Sequence, residues 1–196
     1  MPGDSPRKID ARAWARLSVP ATKEYHDDFD NYTALVLDTA VPEALLRPKP
    51  REVIRELEAA VSLCASVAYS INNQSLIELL LAGPDLHQFT DRPRTVRLQM
   101  IHEILADVEP SQSSSWEQTE AILVNRFFEI SDVIFILLGW KRAYRPLIER
   151  ASESGCRCTV LVVGGTGLAE PDHSSRACGV RILPAEQILA GKIESL

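Results

Sequence analysis

The chain has 196 residues, 45% hydrophobic and 24% charged, with a net charge of −6; this is enough to bury a sizeable core in one globular domain. The negative charge excludes a general field for nucleic acid, the longest apolar stretches fall far short of a membrane span, and the first residues lack the apolar core of a signal peptide. Four cysteines in a chain of this length do not make a disulfide framework, so reduced thiols and a cytoplasmic setting are expected.

Residues 1–31 read as an N-terminal arm, with basic residues first (Arg7, Lys8, Arg12, Arg16), then the acidic "EYHDDFD". Ile9, Trp14, Leu17 and Val19 fit partial docking on the core that follows, residues 32–196. "YTALVLDTA", Tyr32 to Ala40, holds an unbroken apolar run that ends at Asp38 and Thr39. Such a run predicts a strand covered on both faces, as in a parallel sheet. Pro42, Pro48 and Pro50 then discourage a long helix. From Arg51 to Asn73, Ile54, Leu57, Val61, Cys64, Ala68 and Ile71 recur at helical spacing, widened by Ala60, Leu63 and Val67. "SLIELLLAG" predicts a second strand, Gly83-Pro84-Asp85 a turn, and "LHQFT" a short third strand antiparallel to the second.

Helices are expected over Thr95–Val108, with Leu98, Ile101, Leu105 and Val108 on one face, and over Ser115–Phe128, where Ser114 and Glu117 have capping-box spacing. "DVIFILLGW" is the most apolar strand and should be central and buried. An amphipathic helix follows with Pro146 in its first turn, then the strand "CRCTVLVVGG", a polar loop, the strand "VRILP" and a terminal helix. Strands alternating with helices predict an α/β fold: a doubly wound, mainly parallel, Rossmann-type sheet with one antiparallel edge strand and helices on both faces. In such sheets ligands gather outside the carboxyl ends of the central strands. Asp38, Trp116, Trp140, Lys141 and Arg142 should all lie at that edge.

Two stretches carry a resemblance. "GDSPRKIDARAWAR", residues 3–16, resembles the Gly-Asp-x-x-Arg-x-Ile-x-Trp-x-x-x-Ala-Arg signature of the bacterial domain-of-unknown-function family 58, and "TKEY" resembles the segment that follows it. The order of elements through about residue 163 is similar as well. The resemblance implies a von Willebrand factor A-like domain and association with a MoxR-type AAA+ ATPase. It also implies a parent protein with membrane segments upstream, so this chain is expected to be a soluble form or a fragment that does not itself insert into a membrane. One departure lies in the signature, where Ala11 replaces a usual Trp.

Others lie in the metal-ion-dependent adhesion site of von Willebrand A domains, which uses Asp-x-Ser-x-Ser, a loop Thr and a second Asp after the central strand. Here the first motif reads Asp38-Thr39-Ala40-Val41-Pro42, Ser114 corresponds to the loop Thr, and Gly139 falls near the second Asp. Asp132 lies at the wrong end of its strand to substitute.

Magnesium or calcium at Asp38 would have one carboxylate, the hydroxyls of Thr39 and Ser114, and competition from Lys141 and Arg142, whereas these ions favour several oxygen ligands. The blander reading makes Asp38 a hydrogen-bonded strand terminator and Ser114 a helix cap. Cys156 and Cys158 are not spaced as zinc ligands. "GGTG", Gly164 to Gly167, lacks the Lys and helix start of a phosphate loop, and His26, His87, His102 and His173 make no metal or triad pattern. Trp116 and Trp140 are either rim packing or, with Lys141 and Arg142, anchors for a protein partner. The expectation is a non-enzymatic interaction module with a degenerate metal site and no cofactor. The rival is a cation-dependent enzyme or metal-dependent adhesion domain using Asp38.

Overall fold

The computed structural model describes residues 31–43, 54–72, 74–90, 94–164 and 179–192. The arm with its signature, His26, His173, and Gly165 to Gly167 lie outside them.

The unbroken apolar runs become the strands of one six-stranded sheet. They are β1 (Tyr32–Asp38), β2 (Leu76–Ala82), β3 (Leu86–Thr90), β4 (Asp132–Leu138), β5 (Arg157–Gly164) and β6 (Val180–Pro184), in the spatial order β3-β2-β1-β4-β5-β6. All neighbours are parallel except β2 and β3, which the Gly83-Pro84-Asp85 turn makes antiparallel. Parallel neighbours need crossovers, and helices α1 (Arg55–Ile71), α2 (Arg94–Ala106), α3 (Trp116–Arg126), α4 (Arg145–Glu153) and α5 (Ala185–Leu189) cover the faces.

Alternation along the strands divides the core in two. Leu35, Leu37, Leu79, Ile136 and Leu161 face α1, α2 and α5, while Ala34, Val36, Leu80, Phe135 and Val162 face α3 and α4. Helix α1 has no side-chain cap at Ile54, so packing rather than capping holds it. Its buried stripe centres on Ala60, Leu63, Cys64 and Val67, rotated from the expected Val61 and Ile71, which are only partly buried. The small Ala59, Ala60 and Ala68 let the helix approach the sheet closely.

Strand β4 lies beside β1, with Leu37 paired to Ile136, so these two are the central strands. Burial is not uniform along β4 as the sequence led us to expect. Ile134 is half-buried, whereas Phe135 to Leu138 are fully enclosed. No helix among the described residues is long and apolar enough to cross a membrane.

Candidate functional site at the carboxyl ends of the central strands

From β1 the chain winds outward to β2 and β3, then returns to the other side of β1 as β4. At such a reversal, the switch point, open sheets bind ligands beyond the carboxyl ends of the two strands, here β1 and β4. Asp38 ends β1 and is completely buried. It is in phase with Ala34 and Val36, so its carboxylate turns toward the α3–α4 face. Its Oδ1 accepts the Ala40 backbone N–H at 2.9 Å. Its Oδ2 accepts the Lys141 ammonium at 3.0 Å and also the Tyr144 hydroxyl.

Local geometry after β4 makes this convergence. Gly139 has φ 73°, a left-handed conformation that favours glycine, and its N–H still pairs with Val163 at 3.2 Å. The chain then turns through Trp140 and Lys141 into a single 3-10 turn, Arg142–Tyr144, before α4 starts with Pro146 in its first turn. That turn sends the Tyr144 ring inward, where Lys141 Nζ stands 5.3 Å from the ring centroid. Tyr144 had no role in the sequence reading. Its pairing with Asp38 spans 106 residues, and no local pattern announces it.

Burial, and after it the Asp38 carboxylate, raise the Tyr144 phenol above the ordinary tyrosine range. The unfolded chain therefore loses this proton first, and the stability it contributes is complete below about pH 10 and falls as pH rises toward the higher native value. Tyr144→Phe should lose about 1.5–3 kcal/mol at pH 7 with the charge-assisted hydrogen bond. Above about pH 10 it should also show a shallower decline in stability, by up to about 1.4 kcal/mol per pH unit. Urea unfolding from pH 8 to 11 checks this, and identical slopes for the two proteins would contradict it.

The second loop is tied to the first. Ser111 N–H donates to Thr39 O at 3.2 Å and Val41 N–H to Ser111 O at 2.8 Å, so the "SQSSSW" stretch lies along the chain leaving β1. Thr39 is buried, and a Cβ on Gly83 would fall 2.8 Å from its Oγ1, so that close approach needs glycine. The expected capping box is not formed. Helix α3 starts at Trp116, with Ser115 as an N-cap that makes no side-chain bond, and Ser114 Oγ donates to Ala82 O at 3.4 Å instead. Proximity to the end of β2 takes the hydroxyl that local spacing assigned to the helix.

The aromatic candidates differ from each other. Trp116 is only 6% exposed and packs its ring on Phe135 and, edge-on at 4.5 Å, on Tyr144. It lies in the core and not on the surface. Trp140 is half-buried over Tyr144, Lys141 keeps 38% of its side chain exposed, and Arg142 is exposed. Asp132 sits at the far end of β4, ion-paired to Arg157 at 3.1 Å.

This donor set does not fit a divalent cation. The two motif serines are Ala40 and Pro42, Ser114 bonds the sheet, and both oxygens of the single carboxylate are engaged, one of them by an ammonium. Among the described residues no group of three or more His, Cys, Asp or Glu could hold a metal ion. Cys156 is buried with its thiol donating to Phe127 O and Ile130 O, and Cys158 is half-buried beside the core. His87 stacks on Phe89 and His102 is exposed.

A second buried charge lies toward the opposite end of the sheet and was missed in the sequence. Glu78, paired with Ala34 in the sheet, has a side chain only 1% exposed. It accepts from the Tyr32 hydroxyl at 2.7 Å, from Arg126, and from Gln88, while Arg126 Nη2 lies 2.6 Å from the Tyr32 hydroxyl. Burial, and next the hydrogen bond to Glu78, push the Tyr32 phenol up to about 12.

A six-stranded, mostly parallel sheet with one antiparallel edge strand, helices on both faces and an Asp-ended first strand at the switch point defines a von Willebrand A-like fold. Solved structures agree. Proximal thread matrix protein 1 from the mussel byssus superposes with a TM-score of 0.57 at 7% identity, over 83% of this chain and 45% of that one. A form of it with a zinc-occupied MIDAS motif gives 0.57 at 9% identity, over 83% and 46%. The conserved hypothetical protein BatB from Bacteroides thetaiotaomicron gives 0.51 at 16% identity, over 84% of this chain and 100% of that one. Manganese-loaded TRAP protein of Plasmodium vivax gives 0.52 at 10%, over 82% and 71%. The chain thus spans less than half of the mussel protein, and at these identities the likeness concerns the fold. No family model matches the chain. No curated protein matches it either.

Proposed function

We propose that this chain is a non-enzymatic protein-interaction module, in which the Lys141 ammonium stands where related folds place a metal ion, and that it belongs with domain-of-unknown-function family 58. The observation that carries the reading is the ion pair of Lys141 Nζ with the buried Asp38 Oδ2 at 3.0 Å. A fixed ammonium neutralises the carboxylate and takes an oxygen that a cation would need. The zinc-occupied mussel protein and manganese-loaded TRAP support the comparison of sites, since they share the fold. With the cation replaced, the working surface is the basic and aromatic rim of half-buried Trp140, part-exposed Lys141 and exposed Arg142. Trp and Arg are enriched at binding hot spots, and a basic pair on a chain of net charge −6 attracts an acidic segment locally. The resemblance to family 58 makes a MoxR-type AAA+ ATPase the partner of choice.

Titration of the chain against the MoxR-type ATPase of its own source organism tests this. Arg142 is exposed, so Arg142→Glu should shift stability by no more than about 0.5 kcal/mol. It should weaken binding about tenfold or more, as loss of a hot-spot contact does. Binding that is indifferent to both Arg142→Glu and Trp140→Ala would remove the rim from the account. If the ATPase does not bind but another protein does, in an Arg142-dependent way, the module stands and the ATPase assignment falls.

A further inference from the structure

A cavity of about 530 Å³ lies on the α1–α2 face of the sheet, between the antiparallel edge strand and the end of α2. None of Trp140, Lys141 and Arg142 lines it. Strand alternation builds one wall. Leu81 pairs with His87 and Leu79 with Phe89 across β2 and β3, so these four residues share a face. His87 and Phe89 stack there with ring centroids 6.3 Å apart, and both line the cavity. Half-buried Ile104 and Val108 complete an apolar floor. Asp107 N–H donates to Ile104 O at 3.2 Å and Val108 N–H to Leu105 O at 3.4 Å, so α2 ends in a tight turn at the cavity. A space of this size suits a small organic ligand, for which about 300–1,000 Å³ is usual.

The charge around this space has one sign. Asp107 and Glu109, both exposed, line it, and no Lys or Arg is among its described lining residues. The carboxyl end of a helix carries partial negative charge, and the last turn of the thirteen-residue α2 has no basic residue to offset it. Thr39 lines the cavity as well. It is 4% exposed, and its hydroxyl has no hydrogen-bond partner among the described residues. A buried polar group of that kind is rare and calls for a partner. We propose that the cavity binds a small organic ammonium compound, its nitrogen held by Asp107 and Glu109 and its apolar body by Phe89, Ile104 and Val108. An ammonium has several donors for these carboxylates and for the Thr39 hydroxyl, and an aromatic ring attracts it further. An anion would meet two carboxylates and a helix carboxyl end. A wholly apolar molecule would leave Thr39 unpaired. A bare metal ion would gain nothing from the apolar floor, and His87, Asp107 and Glu109 form no group that could hold one.

The test follows isoleucine methyl signals in the carbon-13-labelled full chain, with Ile104→Leu assigning the Ile104 signal. The probes are phenylbutylamine, phenylbutanol and phenylbutyrate, which share one apolar body, and calcium chloride, all at constant ionic strength. Phenylbutylamine should shift the Ile104 signal saturably, and phenylbutyrate should leave it unmoved. Phenylbutanol should bind about tenfold or more weakly than the amine, the usual consequence of losing a charge-assisted hydrogen bond. Combining Asp107→Asn with Glu109→Gln changes only exposed side chains, so the fold should persist while amine affinity falls about tenfold or more. No saturable shift, an equal response to the alcohol, a stronger one to phenylbutyrate or to calcium, or unchanged affinity in the double variant would overturn the proposal. The readout involves no protein partner, so this site and the interaction reading stand or fall separately.

Discussion

Ile136→Asp is expected to leave no soluble, cooperatively folding protein. Ile136 is fully buried at the middle of the sheet, paired to Leu37 on one side and Leu161 on the other. Its side chain faces the layer of α1, where Leu57 and Leu63 belong to the same core cluster. Removing it forfeits about 2–3 kcal/mol of burial. The carboxylate in its place finds no cation in this apolar layer, and an unpaired buried charge costs several kcal/mol more. The total stability of such a domain is about 5–15 kcal/mol. Ile136→Val should cost only about 0.5–1.5 kcal/mol. Yield of soluble protein and urea unfolding of the two variants check the pair. A cooperatively unfolding Ile136→Asp protein would contradict the central placement of β4. Half-buried Ile134 is a weaker site for the same experiment, because its substituent could reach solvent.

Arg126→Ala should cost about 3–5 kcal/mol, the usual consequence of removing one partner from a buried ion pair. Glu78 would remain buried and keep its bonds from the neutral Tyr32 and Gln88 while losing the Arg126 cation. Much of the loss is the cost of keeping a buried carboxylate whose paired guanidinium is gone. Glu78→Gln in the Arg126→Ala background should therefore recover part of it, although the same change alone destabilises. Denaturant unfolding of the four proteins gives the coupling directly. Additive single losses would mean that Arg126 acts on Glu78 no more than a surface charge does.

These two cases mark what the chain made legible. The apolar runs of β1 and β4 can be read directly, because a strand covered on both faces leaves no room for polar residues. The antiparallel β3 was readable from its turn, and the top edge followed from the topology, since parallel strands bring Asp38 and Lys141 to one end. What escaped was tertiary. Glu78 lies within "LIELLLA", and its partners Tyr32 and Arg126 are 46 and 48 residues away. Tyr144 reaches Asp38 across 106 residues only because Gly139 and a 3-10 turn redirect the chain. The capping box failed for the converse reason: the spacing of Ser114 and Glu117 is local, but the end of β2 offered Ser114 a competing acceptor. Trp116 carried an interfacial residue type, yet the sheet edge encloses it.

The central claim is that an ammonium holds the cation position at Asp38, and the thermal unfolding midpoint in EDTA against millimolar magnesium, manganese or calcium tests it most directly. A ligand at a hundredfold excess over its Kd stabilises by about 2.7 kcal/mol, which for a domain of this size raises the midpoint by about 5–10 °C. The account predicts the same midpoint in all four conditions. A rise of several degrees with any of the three ions, abolished by Asp38→Ala, would contradict it.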